Sequence, residues 1–310
     1  MRGVLESGAG LQHAENYHML CRMLGSLRDL SPLTEDGGSM ADYTSWVGLA
    51  ANFTMRALHD VHLPPNNLHY LLGTWGRLAA GAGGGGGGAG GSRSPHNALL
   101  ARIISLQSGQ IEDDADDSDA RTGSTGEIVQ DAVGKVVVAY LEGRLEAIAA
   151  SHDGACEDPL DDPEMLQGQL EILPKLCGSR YKEIAGDLLR ILDHHHDMYG
   201  RMLSSQGGGG DDRLRVEGQL AWLVRVCAGL IGGHYVVEKR VEIDGSFVRP
   251  TAVVAPNMRE GDQLTDADVT RRVLQLVLLL QQEGGSVRCD SRLELALLSF
   301  LDQLKQVHRP

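Results

Sequence analysis

The stretch that most restricts what this chain can become is 216–233, VEGQLAWLVRVCAGLIGG. Leu220, Leu223, Val224, Cys227, Leu230 and Ile231 recur at the three-and-four spacing that aligns one face of a helix. Trp222, Val226 and Ala228 add apolar area outside that stripe, and Glu217, Gln219 and Arg225 leave a thin solvated edge. A helix this apolar needs neighbours on two sides, so it belongs inside a stack with more helices before and after it.

The rest of the chain supplies them. Residues 15–27 form a helix with Tyr17, Leu20, Cys21, Leu24 and Leu27 on one side, and Ser31-Pro32 stops it. A second helix over 43–59 buries Trp46, Leu49, Ala50, Phe53 and Ala57 before Leu63-Pro64-Pro65 breaks it. Asn66 or Asn67 caps a third, whose stripe is Leu68, Leu71, Leu72, Trp75 and Leu78. A long helix resumes near Val129, with Val133, Val136, Val137, Tyr140, Leu141, Leu145 and Ile148 inward. Asp162 and Pro163 open the next, which carries Leu166, Leu170, Leu173 and Cys177, is kinked or shortened by Pro174 and ends at Gly178. Residues 181–203 bury Ile184, Leu188, Ile191, Leu192, Tyr199 and Met202. Past the opening helix, 236–262 is poorly periodic and loops out, with room for a brief strand. Thr265 or Asp266 then caps a helix with Val269, Val273, Leu276, Val277 and Leu280, closed by Gly284-Gly285. Ser291 and Glu294 have capping-box spacing, and Leu297, Leu301 and Leu304 carry on the last stripe.

Two tracts interrupt this pattern. GAGGGGGGAGG from Gly81 is a flexible tether, because glycine loses the most entropy on ordering. The run 112–119 is acidic without apolar periodicity and reads as disordered, after a short helix over 95–106. The expected organisation is helices over 1–80, a flexible Gly-rich and acidic insertion over 81–127, and helices over 128–206. A glycine linker over 207–212 and helices over 213–310 with a loop near 236–262 complete it.

Hydrophobic residues make up 42% of the 310 but aromatics only 4%, so the core is built from Leu, Val, Ile and Ala, which leans helical. The net charge of -14 is the wrong sign for gripping nucleic acid or an anionic membrane and favours basic proteins or peptides as partners. Five scattered cysteines, mostly in apolar stripes, fit a reducing compartment. The N-terminus lacks the apolar core of a signal peptide, and no run is long enough to span a membrane.

Catalytic and ligand motifs are weak. His194-His195-His196, flanked by Asp193 and Asp197, has metal-ligand chemistry, but successive helical residues diverge by roughly 100 degrees and cannot converge on one ion. His59 and His62 straddle a helix end with no third ligand, and the polyglycine has neither a preceding strand nor a Walker-type Gly-Lys-Ser or Gly-Lys-Thr. The helical stripes offer no pair of inward carboxylates for acid and base work. No catalytic, cofactor-binding or metal residue is assigned, and the chain reads as a non-enzyme working by surface recognition.

Helices of this length joined by short turns or insertions describe an all-α fold, an α-α superhelix of HEAT-repeat or armadillo-like type with about nine helices. The absence of a letter-level repeat suits HEAT better than the tetratricopeptide type. Eight blocks go further: ENYHMLCRMLGSL, LAANFTMRAL, NNLHYLLGTWGRLAA, AYLEGRLEAI, EDPLDDPEMLQGQLEILPKLC, GQLAWLVRVCAGLIGG, VTRRVLQLVLLL and RLELALLSFLDQL. In that order they resemble the middle of the exportin-7 family of karyopherins, within the importin-β superfamily. The glycine tract, the acidic run and 236–262 fall outside the resemblance. It implies a nuclear transport receptor that binds the GTP form of the Ran GTPase together with protein cargo, contacts nuclear pore proteins and moves between nucleus and cytoplasm without a cofactor. It places the family's main Ran contacts in repeats N-terminal to the matching stretch, so no Ran or cargo residue is carried over to a numbered position. A segment cut from a superhelix is expected to expose apolar faces at its ends, at Leu20 and Leu24 and at Leu301 and Leu304. A helical scaffold outside transport is the alternative, and a metal enzyme built on the histidine run a more distant one.

Overall fold

The computed structural model describes residues 2–27, 40–82, 115–204, 210–233, 235–238, 251–254, 260–282 and 289–307. The expected helix over 95–106, most of the polyglycine and the start of the acidic run lie outside these residues. Ten α-helices make up the described chain, in the all-α, helical-repeat class. They are α1 (Arg2–Ser7), α2 (Ala14–Ser26), α3 (Met40–Leu58), α4 (Pro65–Ala82), α5 (Ala115–His152), α6 (Pro163–Cys177), α7 (Tyr181–Ser204), α8 (Gly210–Gly233), α9 (Glu260–Gln282) and α10 (Ser291–Val307). The chain divides into two compact units, one of residues 1–143 with 175–180, the other of 144–174 with 181–310.

In the first unit α1 packs on α3 and α2 on α4. Leu68, Leu71, Leu72, Trp75 and Leu78 of α4 are all buried, as their spacing requires. The Trp75 indole donates to Thr54 Oγ1 of α3 at 2.9 Å, and that hydroxyl donates to the Ala50 carbonyl at 2.8 Å, so the buried polar atoms are paired. Leu20 and Leu24, expected at an open end, are instead buried, and Met19 and Met23 are the exposed apolar residues of α2. The expected Asn cap of α4 is also displaced. The helix starts at Pro65, whose missing N–H costs nothing at the first position, and Asn67 is buried with its Oδ1 2.7 Å from His18 Nδ1. Helix α5 begins at Ala115, ahead of the expected start near Val129 and inside the segment assigned to a flexible insertion. Gly143 brings α5 against the end of α3: a Cβ there would fall 1.9 Å from the Leu58 carbonyl oxygen.

The second unit is built around α8, which packs against α7, α9 and α10. All six stripe residues are buried, together with Val216, Trp222, Val226 and Ala228. On a further side Gln219 donates to the Leu145 carbonyl at 3.0 Å, and Gly218 and Gly229 lie against Ile148 and Leu170. Asp162 caps α6 as expected, accepting the Met165 N–H at 3.0 Å, and α6 continues through Pro174 to Cys177 without being shortened. At the start of α10 the capping residue is Asp290, whose Oδ1 accepts the Arg292 N–H at 3.3 Å, one position before the expected Ser291. Arg292 in turn pairs with Asp158 and Asp161 in the turn before α6.

Further boundaries also differ from expectation. Helix α8 starts at Gly210, inside the expected linker, and α9 starts at Glu260, ahead of its expected caps. The expected loop holds two strands, β1 (Tyr235–Glu238) and β2 (Thr251–Val254), paired antiparallel from Tyr235 opposite Val254 to Glu238 opposite Thr251. β1 lies against α8 and β2 against α10, which supply the support that a lone strand pair lacks. The cysteines are free thiols; Cys21, Cys177 and Cys227 are buried, and burial pushes each up to about 12.

Candidate partner-binding surface

The second unit carries a polar hub within its apolar core. Glu217 on α8 is fully buried and accepts three hydrogen bonds: from the Tyr199 hydroxyl of α7 at 2.5 Å, from Arg213 Nε at 2.8 Å and from the Asp290 backbone N–H at 2.9 Å. Three donors compensate a carboxylate that burial would otherwise penalise. They also tie the start of α10 and the end of α7 to one point on α8. Burial, with the bond to Glu217, pushes the Tyr199 hydroxyl well above the usual phenol range. Helix α9 is held similarly, since the Tyr181 hydroxyl of α7 donates to the buried Asp266. Inward carboxylates therefore exist, contrary to the sequence reading, and Glu217 is the residue it missed. The Arg213–Glu217 spacing of four was the one local signal for it.

The Tyr181–Asp266 bond and the stripe of Val269, Val273 and Leu276, all three fully buried, fix α9 with its opposite side outward. On that side Leu264 is 73% exposed, Leu274 38% and Leu278 55%. Two grooves run along α9. One, of about 450 Å³, lies between α7 and α9 and is lined by Leu192, Asp193, His196, Asp197, Arg272 and Leu279 among others. The second, of about 710 Å³, runs beside α8 and is lined by Ile231, Ala267, Thr270, Leu274 and Leu278 among others. Helix α10 adds exposed Leu295, Leu298 and Leu301 beyond its buried Leu293, Ala296, Leu297 and Phe300, so the expected stripe through Leu301 turns outward at that residue. Both grooves thus set apolar side chains at helical spacing beside charged ones.

The histidine run splits among three environments. His194 is exposed, His195 is buried with Nδ1 2.8 Å from the Ile191 carbonyl, and His196 is half-buried at the α7/α9 groove. Burial pushes His195 below its ordinary value, with the neighbouring His194 acting in the same direction against the backbone bond. Asp193 pairs with Arg272 across the groove at 3.3 Å. Among the described residues no three His, Cys, Asp or Glu side chains gather to hold a metal, and no helix is long and apolar enough to cross a membrane. His59 and His62 are both exposed in the turn between α3 and α4. What this arrangement offers chemically is packing area and a few fixed charges.

Comparison with known proteins places this architecture. The family model described as exportin-7-like, TPR domain, matches residues 147–309, from the end of α5 through α10. Its description names tetratricopeptide repeats where the absence of a letter-level repeat had suggested HEAT; both stack helix pairs. Ran-binding protein 16 of Drosophila melanogaster is 29% identical over 308 residues, covering 99% of this chain and 23% of its own length. Ran-binding protein 17 of Homo sapiens and exportin-7-B of Xenopus laevis are each 26% identical, again over 99% of this chain and 23% of theirs. The chain thus spans about a quarter of the length of these curated relatives. No solved structure gives a match.

Proposed function

This chain belongs to the exportin-7-like family, a family of karyopherin-type transport receptors, and from that premise we propose that it serves as one stretch of an exportin carrying protein cargo out of the nucleus. In this reading export depends on the GTP form of Ran, proceeds through contacts with nuclear pore proteins, and places the protein in nucleus, cytoplasm and pore. The observation that carries it is the extent of the likeness: the match to relatives named for Ran binding and export runs through 99% of this chain. A helix stack recognises partners by summing contacts over many repeats, so likeness along a whole stretch bears on function as a local motif would in an enzyme. The chain works by surface recognition, with no catalytic step and no cofactor. A scaffold outside transport predicts partner binding that ignores the nucleotide on Ran.

The test is a hybrid receptor in which the matching stretch of Drosophila Ran-binding protein 16 is replaced by this chain. In cells lacking the native receptor, the hybrid restores nuclear export of that receptor's cargo, while a receptor with the stretch deleted does not. A hybrid that is soluble and helical yet no better than the deletion contradicts the proposal.

A further inference from the structure

Helix α9 carries on its outer side a pattern that complements itself when reversed. Leu264, Asp268, Arg271, Leu274 and Leu278 follow one another at three- and four-residue steps, which keeps them on one face. Asp268 and Arg271 form an ion pair on that face, both side chains more than half exposed at 53% and 64%. The charge there is balanced, unlike the chain as a whole at -14. Turning a second α9 antiparallel, with a two-fold axis passing near Val269 and Thr270, sets Leu264 of each copy opposite Leu274 of the other. The same operation sets Arg271 of each copy opposite Ala267 and Asp268 of the other. Leu264, the most exposed large apolar side chain of this helix, then enters the groove of about 710 Å³ beside Leu274 on the opposing copy.

We propose that the outer face of α9 is a self-association surface, on which a second copy of this chain packs as an isologous dimer. Every contact occurs twice across such an axis, so two leucine pairs and a four-charge cluster form together. The alternating signs in that cluster select the antiparallel register, because sliding the helices brings Arg271 against its own counterpart. The inference holds independently of the transport reading.

The experiment is sedimentation equilibrium of the full chain at micromolar concentration and about 150 mM salt, where screening confines the overall negative repulsion to roughly 8 Å. The expected mass is twice 33.3 kDa. Arg271→Asp alone and Asp268→Arg alone each place like charges across the axis and weaken the dimer at least about ten-fold, a change of about 1.4 kcal/mol. An equimolar mixture of the two variants restores opposite charges at both contacts and returns the dimer mass. Far-UV circular dichroism checks that the variants, altered only at exposed positions, remain folded. A wild-type chain that stays at 33.3 kDa, assembles into species larger than a dimer, or keeps its dimer in both single variants overturns the proposal.

Discussion

The hydroxyl of Tyr199 on α7 donates to the carboxylate of Glu217 on α8 at 2.5 Å, with both residues fully buried. Replacing Glu217 with Ala removes the acceptor shared by that hydroxyl, Arg213 Nε and the Asp290 N–H. The expected loss is about 3 kcal/mol or more, read as a fall in the urea midpoint at unchanged slope. Glu217→Gln keeps one carbonyl acceptor and is expected to cost about 1 to 3 kcal/mol. Equal midpoints for wild type and Glu217→Ala would remove the hub from the account of stability.

Leu223 and Cys227 sit at the centre of the same helix, both fully buried. Leu223→Ala is expected to cost about 2 to 5 kcal/mol through the cavity it leaves. Cys227→Asp costs more, because it places a carboxylate at a fully buried position. Denaturant unfolding measures both, and an unchanged curve for Cys227→Asp would contradict the inward face assigned to α8.

Positions such as Leu223 were legible from spacing alone, as were Leu68, Val136 and Leu188, because a periodic stripe states which side of a helix loses water. What spacing does not carry is the distant partner. Glu217 looked like a solvated edge because its neighbours in the chain are ordinary, and its donors Tyr199 and Asp290 lie 18 and 73 residues away. The cap of α10 was displaced by a single position, from Ser291 to Asp290, since both side chains can accept a backbone N–H. β1 and β2 were obscured because a pair of four-residue strands, set against α8 and α10, rests on tertiary support more than on its own pattern. The outward leucines of α9 were not read: Val269, Val273 and Leu276 gave the inner face, whereas Leu264, Leu274 and Leu278 stay exposed on the other side.

Gly143 is a position where a small gain in helix propensity is overruled by geometry. Gly→Ala in a helix interior normally gains up to about 1 kcal/mol. Here the added Cβ falls 1.9 Å from the backbone oxygen of Leu58, which has no side-chain freedom to retreat. Gly143→Ala is therefore expected to destabilise by about 1 to 3 kcal/mol as α3 and α5 are forced apart. Gly168, with nothing near its would-be Cβ, serves as the control and gains stability on the same substitution. Thermal unfolding of the two variants checks the pair, and a Gly143→Ala protein as stable as wild type contradicts the close approach.

His195 gives the stability a pH dependence whose sign follows from its burial. Its folded value is depressed, so the unfolded chain binds the proton more readily. Its contribution is present above the unfolded value of about 6.5 and is lost as pH falls from there through the folded value. Unfolding free energy is expected to drop across that interval by at most about 1.4 kcal/mol per pH unit from this one group. His195→Gln, which cannot titrate there, flattens the profile. Wild-type and variant profiles that run parallel below about pH 6.5 would exclude His195 as the source.

Whether this chain is a working stretch of an exportin-type receptor is tested by titrating Ran into the hybrid receptor with cargo and, separately, into the isolated chain. Contacts summed along a helix stack predict that the hybrid binds Ran carrying a non-hydrolysable GTP analogue at least about ten-fold tighter than Ran carrying GDP. The isolated chain, spanning 23% of its relatives' length, is predicted to show no submicromolar binding of either form. A hybrid indifferent to the nucleotide, or an isolated chain with submicromolar, GTP-dependent affinity, would contradict the account.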